Sequence, residues 1–240
     1  CPTSAADAGK EVRIELRTNT DQYSGVVNEV YCGDKTQIWE YLFRTYGLET
    51  IIGFFLFFAG IITIAFSIAL GIAYQTKFDM EYLGWCVIMA AVWMLGESKL
   101  RQLLLPNASA LATMCFVMIL LCPVPISYYI DTLQHGRHRK IFNIVENISL
   151  FDLLVCSVLH ISGIADYIET LPIAHGILAL TVVIVFVTIF EDHKKGCFKG
   201  SGYTLTGLVF AMLCVLIESL STYFVVSISG IFIGIGMTIL

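Results

Sequence analysis

The chain has 240 residues, of which 57% are hydrophobic and only 14% are charged, and its formal net charge is −5. Soluble domains usually carry about 25% charged residues, so this composition excludes an ordinary soluble enzyme and predicts a protein that has the lipid bilayer as its solvent. In such a protein the distribution of charge between the loops says more than the total, and the expected partner is membrane lipid rather than nucleic acid.

Residues 1–47 form the largest polar region, and their pattern predicts the end of an extracytoplasmic β-rich domain. Apolar and charged residues alternate over residues 12–17, and residues 26–31 are rich in valine, which is typical of strands. After a turn at Gly33, Thr36 is expected to cap a short amphipathic linker helix. Two strands are not a stable domain by themselves, so the domain is expected to begin before the first residue of this chain.

Residues 48–240 are predicted to form a seven-helix transmembrane bundle, which makes the fold all-α. The segment Ile51–Tyr74 runs for 24 residues without a charge, and about 20 apolar residues are enough for a helix to cross roughly 30 Å of hydrocarbon. Similar segments recur down to Leu240, so the last helix is expected to be either incomplete or only just complete. The predicted spans are residues 48–74, 80–98, 106–130, 141–163, 170–190, 203–221 and 226–240.

The positions of lysine and arginine predict the orientation of these spans. With the N-terminus outside, the inner loops carry seven basic residues and the short outer loops carry only Lys99 and Arg101. Cytoplasmic loops are enriched in basic residues, so we expect the N-terminus outside and the C-terminus in the cytoplasm. The seven inner residues are Lys77, Arg137, Arg139, Lys140, Lys194, Lys195 and Lys199.

The sequence contains no pattern that predicts catalysis, a metal or a cofactor. The eight cysteines include no CxxC pair, and HExxH, Gly-x-Ser-x-Gly and phosphate-binding glycine motifs are absent. We therefore expect no catalytic residue, metal or cofactor in this chain. Cys1 and Cys32 share the polar region, and whether they form a disulfide remains open.

One predicted span, residues 141–163, contains far more polar residues than the others. Ionisable side chains in a span are functional candidates, because a lone charge in hydrocarbon costs several kcal/mol. Glu146 and His160 are expected to share a helix face without touching. A proton path and a polar seam that holds helices together both remain open, and the seam is favoured. The intramembrane polar residues are Asn143, Glu146, Asn147, Asp152 and His160.

A second polar set lies where the predicted spans end on the outer side. These side chains are expected to form the floor of a ligand pocket or a socket for the outer domain, and ordinary solvation of loops is the alternative. The set comprises Glu97, Ser98, Lys99, Arg101, Asp166, Glu169, His175 and Glu218.

Three stretches resemble the bacterial seven-transmembrane receptors with diverse intracellular signalling modules. They are residues 93–107 (WMLGESKLRQLLLPN), residues 122–125 (CPVP) and residues 162–172 (SGIADYIETLP), which are followed by His175. The order of parts is also similar, since an outer β-rich domain precedes seven helices. Within these stretches the candidate ligand-binding or coupling residues are Trp93, Glu97, Ser98, Gln102, Asn107, Asp166, Glu169 and His175.

The resemblance implies a sensor in the bacterial cytoplasmic membrane that relays an extracytoplasmic signal to a C-terminal output domain, often a GGDEF diguanylate cyclase. The parent protein would then be an enzyme, although this chain would not. Gly230 and Gly234 are four residues apart in the seventh span, which suits close helix contact and a homodimer, but also packing within one bundle. A small-molecule or ion transporter is the alternative function.

Overall fold

The structure is a computed structural model that describes residues 11, 33–75, 80–98, 100, 108–195, 202–221 and 236. The chain divides into two compact units, residues 1–38 and 39–240. The strands predicted at 12–17 and 26–31, together with Cys1 and Cys32, lie outside the described residues. The described part is all-helical, and no strand occurs in it.

Seven helices are described, and two of them form a single broken span. The break falls at Cys122, where Pro123 and Pro125 lack the backbone N–H that would continue the helical hydrogen-bond ladder. In chain order the helices are α1 (Lys35–Tyr74), α2 (Met80–Glu97), α3 (Ala108–Leu121), α4 (Pro123–Leu133), α5 (Arg139–Ser162), α6 (Tyr167–Lys194) and α7 (Gly202–Ser221).

Helix α1 corrects two details of the sequence prediction. The linker helix and the first span are one continuous helix of 40 residues, which runs without interruption past residue 47. Its cap is Asp34 rather than Thr36, since the Thr36 N–H donates to Asp34 Oδ2 at 3.3 Å. An aspartate immediately before the first helical residue satisfies an otherwise unpaired N–H in the same way as a threonine would.

Four helical segments in the described part are long and apolar enough to cross a membrane. They are α1, the α3–α4 pair from Ala110 to Leu133, α5 and α6, and the apolar parts of α2 and α7 are shorter. Large apolar side chains lie exposed along the outward faces, for example Phe55, Ile62 and Phe66 on α1. Such surfaces are unfavourable in water and favourable against lipid tails, so the described part is that of an all-α membrane protein.

Along the chain the described helices overlap the first six predicted spans, and four of the helical segments are long and apolar enough to cross a membrane. The third span is broken at Cys122, and the prediction had ended it at residue 130 instead of Leu133. The seventh predicted span, residues 226–240, lies outside the described residues apart from Gly236.

Helices α1 and α2 cross at glycines. A Cβ added at Gly60 would lie 2.9 Å from the Gly84 carbonyl oxygen, and one added at Gly84 would lie 3.0 Å from the Gly60 carbonyl oxygen. Only residues without a side chain allow the two backbones to approach so closely, as small residues do at membrane helix interfaces. Leu56 of α1 packs beside this crossing against Val87 and Ala91 of α2.

The main apolar core surrounds α4, which is the C-terminal half of the broken span. Helix α4 packs against α2, α5 and α6, and α6 also contacts α3 and α7. Ile130 of α4 and Phe142 of α5 are fully buried in this core with Val182 and Val185 of α6 and Leu208 of α7. The core fixes α6 between the broken span and α7, and this arrangement places the cavity described next.

Candidate functional site

A pocket lies between α2, α3, α6 and α7, beside the helix break. It encloses about 500 Å³, including its open mouth. Most of the described residues that line it are apolar or weakly polar, so it would hold the hydrocarbon part of a ligand well. These residues are Met89 and Ala90 of α2, Met118 and Ile119 of α3, Cys122 at the break, Leu178 of α6 and Val215 of α7.

The rest of the described wall consists of four side chains of higher polarity, which are Trp93, His175, Glu218 and Ser219. His175 is 7% exposed and Glu218 is 6% exposed, so both are almost fully buried. The Trp93 Nε1–H is buried and has no hydrogen-bond partner among the described residues. Ser219 Oγ donates to the Val215 carbonyl at 2.9 Å, which leaves its oxygen able to accept.

Comparison with protein-family models, with curated proteins and with solved structures returned no match. The site must therefore be interpreted from its own geometry. Three of the residues singled out in the sequence, Trp93, His175 and Glu218, line the pocket, although Trp93 and His175 are more than 80 residues apart in the chain.

The other candidates at the end of α2 are placed differently. Ser98 is fully buried, and its Oγ lies 2.8 Å from Thr50 Oγ1 of α1, so it joins two helices. Its oxygen also accepts from the Leu100 N–H at 3.2 Å. Glu97 ends α2, and its side chain, like Gln102 and Asn107, lies outside the described residues.

Asp166 and Glu169 belong to the start of α6 and not to the pocket wall. The Asp166 N–H donates to the Glu169 carboxylate at 3.2 Å, which is half of a capping box. His160, at the end of α5, lies with Nδ1 3.4 Å from Asp166 Oδ1, and its ring packs on Tyr167 with centroids 4.4 Å apart. These groups fix the turn between α5 and α6, where Gly163 adopts a φ of +69°.

Glu146 lies at the other end of α5 from His160, in a cluster of ion pairs that we call the turn cluster. Arg139 Nη1 lies 3.2 Å from Glu146 Oε1 and 3.4 Å from Asp131 Oδ2. The Arg139 guanidinium also stacks 4.3 Å above the Tyr128 ring. Glu146 and His160 therefore have separate partners. The turn cluster comprises Asp131, Arg137, His138, Arg139, Glu146 and Asp192.

Asp192 is the most buried acid of the turn cluster, at 1% exposed. Its Oδ1 accepts from Arg137 Nη1 at 2.6 Å and lies 3.3 Å from His138 Nε2. These contacts tie the last turn of α6 to the turn between α4 and α5. At the C-terminal end of α6, Lys195 pairs with Glu191, and this hydrogen bond raises the pKa of the Lys195 ammonium.

The remaining polar residues of α5 divide between two faces. Asn143 and Asn147 are exposed, and Asn147 Nδ2 donates to the Asn143 carbonyl at 2.7 Å. Asp152 is buried and accepts from Cys156 Sγ at 3.5 Å, while Ser149 Oγ donates to the Leu120 carbonyl of α3 at 2.6 Å. The buried face thus includes one hydrogen bond between helices, from Ser149 to Leu120, and one within α5, and the exposed asparagines take no part in either.

Several residues that matter in this geometry were missed at the sequence level. Asp131 and Asp192 stand near span ends, where an acid is ordinarily solvated, and nothing local in the sequence shows that arginines of the next turn reach them. Thr50 was missed for the same reason, because its hydrogen-bond partner, Ser98, is 48 residues away in the chain. Among the described residues, no group of three or more histidine, cysteine or acidic side chains could hold a metal.

Proposed function

We propose that the chain is the membrane-embedded sensing region of a bacterial receptor. In this proposal a ligand that reaches the pocket from the outer side of the cytoplasmic membrane shifts the packing of the bundle, and a C-terminal cytoplasmic output domain, such as a GGDEF diguanylate cyclase, reads the shift. The observation that carries the proposal is the pocket itself, which joins two of the residues singled out by the resemblance, Trp93 and His175.

The arrangement of α6 suits such a relay. His175 contributes to the pocket and Asp192 to the turn cluster, and their separation of 17 positions corresponds to about 26 Å of helix. A ligand can shift the bundle only through a difference in its affinity for two packings. A rigid helix that contacts both regions would transmit that difference to the end of the bundle where the basic residues concentrate.

A pocket-filling variant tests the relay. Ala90→Phe places a ring in the cavity, and Ala65→Phe is the control, because Ala65 is exposed on α1. In hydrogen exchange on the protein in nanodiscs, Ala90→Phe should change the protection of amides 134–138, whereas Ala65→Phe should not. Equal protection at that turn in both variants would contradict the relay.

The orientation is tested with two cysteines, placed one at a time in exposed turns of a variant whose eight native cysteines are replaced by serine. In intact cells a membrane-impermeant maleimide should label Ile164→Cys and leave His135→Cys unlabelled until the cells are opened. Both side chains are exposed, so accessibility alone does not separate them. Labelling in the opposite order would overturn the proposed N-out topology.

A transporter is the second candidate, and the helix break favours it. Transport sites are often built where a span is interrupted, and Cys122 borders the pocket. From there Ser127 and Asp131 of α4 and Gln134 at its C-terminal cap follow at spacings of four and three residues, and each has a buried polar atom without a hydrogen-bond partner among the described residues. Solute flux through the protein in liposomes would favour transport, and binding without flux would favour the receptor.

A further inference from the structure

The pocket wall has a distinctive balance of charge. Among the described residues that line it, Glu218 is the only carboxylic acid, and no lysine or arginine is present. A second negative charge beside a buried carboxylate is strongly disfavoured, whereas a positive charge at the same place is favoured. With Glu218 ionised, the wall disfavours fatty acids, phosphates and other anions, and among the described lining residues only His175 is basic.

The rest of the wall favours an apolar body with one hydrogen-bond acceptor. Met89 and Met118 are flexible and polarisable, and they adapt to irregular ligands. The Trp93 Nε1–H can only donate, so it suits a hydroxyl, ether or carbonyl oxygen. The faces of aromatic rings such as the indole also attract organic cations.

We propose that the pocket binds a small amphipathic amine, with its ammonium at Glu218, its apolar body among the methionines and an oxygen acceptor at Trp93 Nε1. This inference rests on the proposed function, since it names the class of ligand that the sensing pocket would take. The carboxylate supplies charge and direction, while the apolar wall supplies most of the contact area. Affinity would then depend on the sign of the ligand's charge.

Three probes that differ in one functional group test the proposal: 3-phenylpropylamine, 3-phenylpropan-1-ol and 3-phenylpropanoate. Binding is measured by equilibrium dialysis to the whole chain in nanodiscs of neutral lipid. We expect the amine to bind at least tenfold more tightly than the alcohol and the carboxylate to bind most weakly. Neutral lipid removes the attraction of the membrane surface for amines.

Variants assign the preference to Glu218. Glu218→Gln should bring the amine down to the affinity of the alcohol, and Glu218→Asp, which keeps the charge, should retain a weaker preference for the amine. Glu191→Gln is the matched control. It also removes a carboxylate, but an exposed one at the C-terminal end of α6, away from the pocket. This control should leave all three affinities unchanged.

The outcomes separate the ligand class from the proposed function. An alcohol or carboxylate that binds as tightly as the amine, or an amine preference that survives Glu218→Gln, overturns the amine assignment. So does the absence of binding by all three probes. None of these three results bears on the relay, which is tested independently by the effect of Ala90→Phe on hydrogen exchange.

Discussion

The pocket and the turn cluster both bury polar side chains in a bundle that is otherwise apolar, but they bury them in different ways. In the turn cluster two arginines approach all three acids at 2.6 to 3.4 Å. In the pocket a buried indole N–H has no partner among the described residues, and the described wall contains one carboxylic acid, Glu218, with no lysine or arginine. The first arrangement stabilises the fold, and the second is a feature that stability alone does not explain.

This difference predicts which substitutions unfold the protein and which change only its binding. Removing one partner of a buried ion pair leaves the other charge uncompensated, which is strongly destabilising. Removing a polar atom that has no partner costs little or even helps.

Asp192→Asn should have the largest effect. It removes the negative charge that Arg137 and His138 face, and Asp192 is nearly fully buried. Because Arg137 is 37% exposed, water compensates part of the loss, and we expect about 2 kcal/mol rather than the full value for a buried pair. Unfolding by denaturant in mixed micelles measures the change.

The neighbouring acid is the control for Asp192. Glu191 is exposed and pairs only along the helix surface with Lys195, so Glu191→Gln should leave the unfolding midpoint unchanged. If the two substitutions lower the unfolding midpoint equally, then the buried ion pairs of Asp192 do not stabilise the protein more than the exposed pair of Glu191 does.

Gly96→Ala tests the contact between α2 and α3 next to the pocket. A methyl group at residue 96 would overlap Cys115 Sγ, which lies 3.7 Å from the Val92 carbonyl of α2. Overpacking of this kind typically costs about 1 to 3 kcal/mol, and here the thiol can rotate, so we expect about 1.5 kcal/mol.

The double variant Gly96→Ala with Cys115→Ala should recover most of the stability, since the overlapping sulfur is then gone. The comparison is made with Cys115→Ala alone in a double-mutant cycle. Additive losses, with no recovery, would show that the two residues do not constrain each other.

The sequence predicts the helices of this fold better than it predicts the site. Uncharged segments such as Ile51–Tyr74 mark spans because a helix is the one local way to satisfy the backbone in lipid. The pairing of Asp192 with Arg137 depends on how the α4–α5 turn folds back, and that is set by tertiary packing and by Gly136, which has a φ of +73°. Periodicity along a single helix carries no information about such a contact.

The candidate site shows the same limit. Trp93 and His175 were chosen for their sequence context, and the structure brings both to the pocket. Asp166 and Glu169 were chosen on the same grounds, yet they cap α6, because Asp-x-x-Glu at a helix start forms local hydrogen bonds. A polar residue near the end of a span can cap, pair or bind, and its sequence neighbours do not distinguish these roles.

Arg139→Lys should have a smaller effect than Asp192→Asn. A guanidinium can bridge Asp131 and Glu146 while it stacks on Tyr128, but an ammonium is compact and cannot make all three contacts. The arginine side chain is 36% exposed, so screening limits the expected loss to about 1 kcal/mol. Lys140→Arg, at the exposed neighbouring position, is the control, and an equal loss in both variants would argue against the bridge.

Trp93→Phe should have the smallest effect on stability and a clear effect on binding. The substitution removes a buried N–H that has no partner, which offsets the apolar surface lost with the smaller ring, so we expect a change within about 0.5 kcal/mol. The hydrogen bond proposed between Nε1 and the ligand is worth about 1 kcal/mol, so an amine that carries an ether oxygen should bind roughly fivefold more weakly. Trp85→Phe, at an exposed site on the same helix, should alter neither quantity. A large loss of stability with unchanged binding would instead make Trp93 a structural residue. The pocket would then not differ from the turn cluster in the role of its buried polar groups.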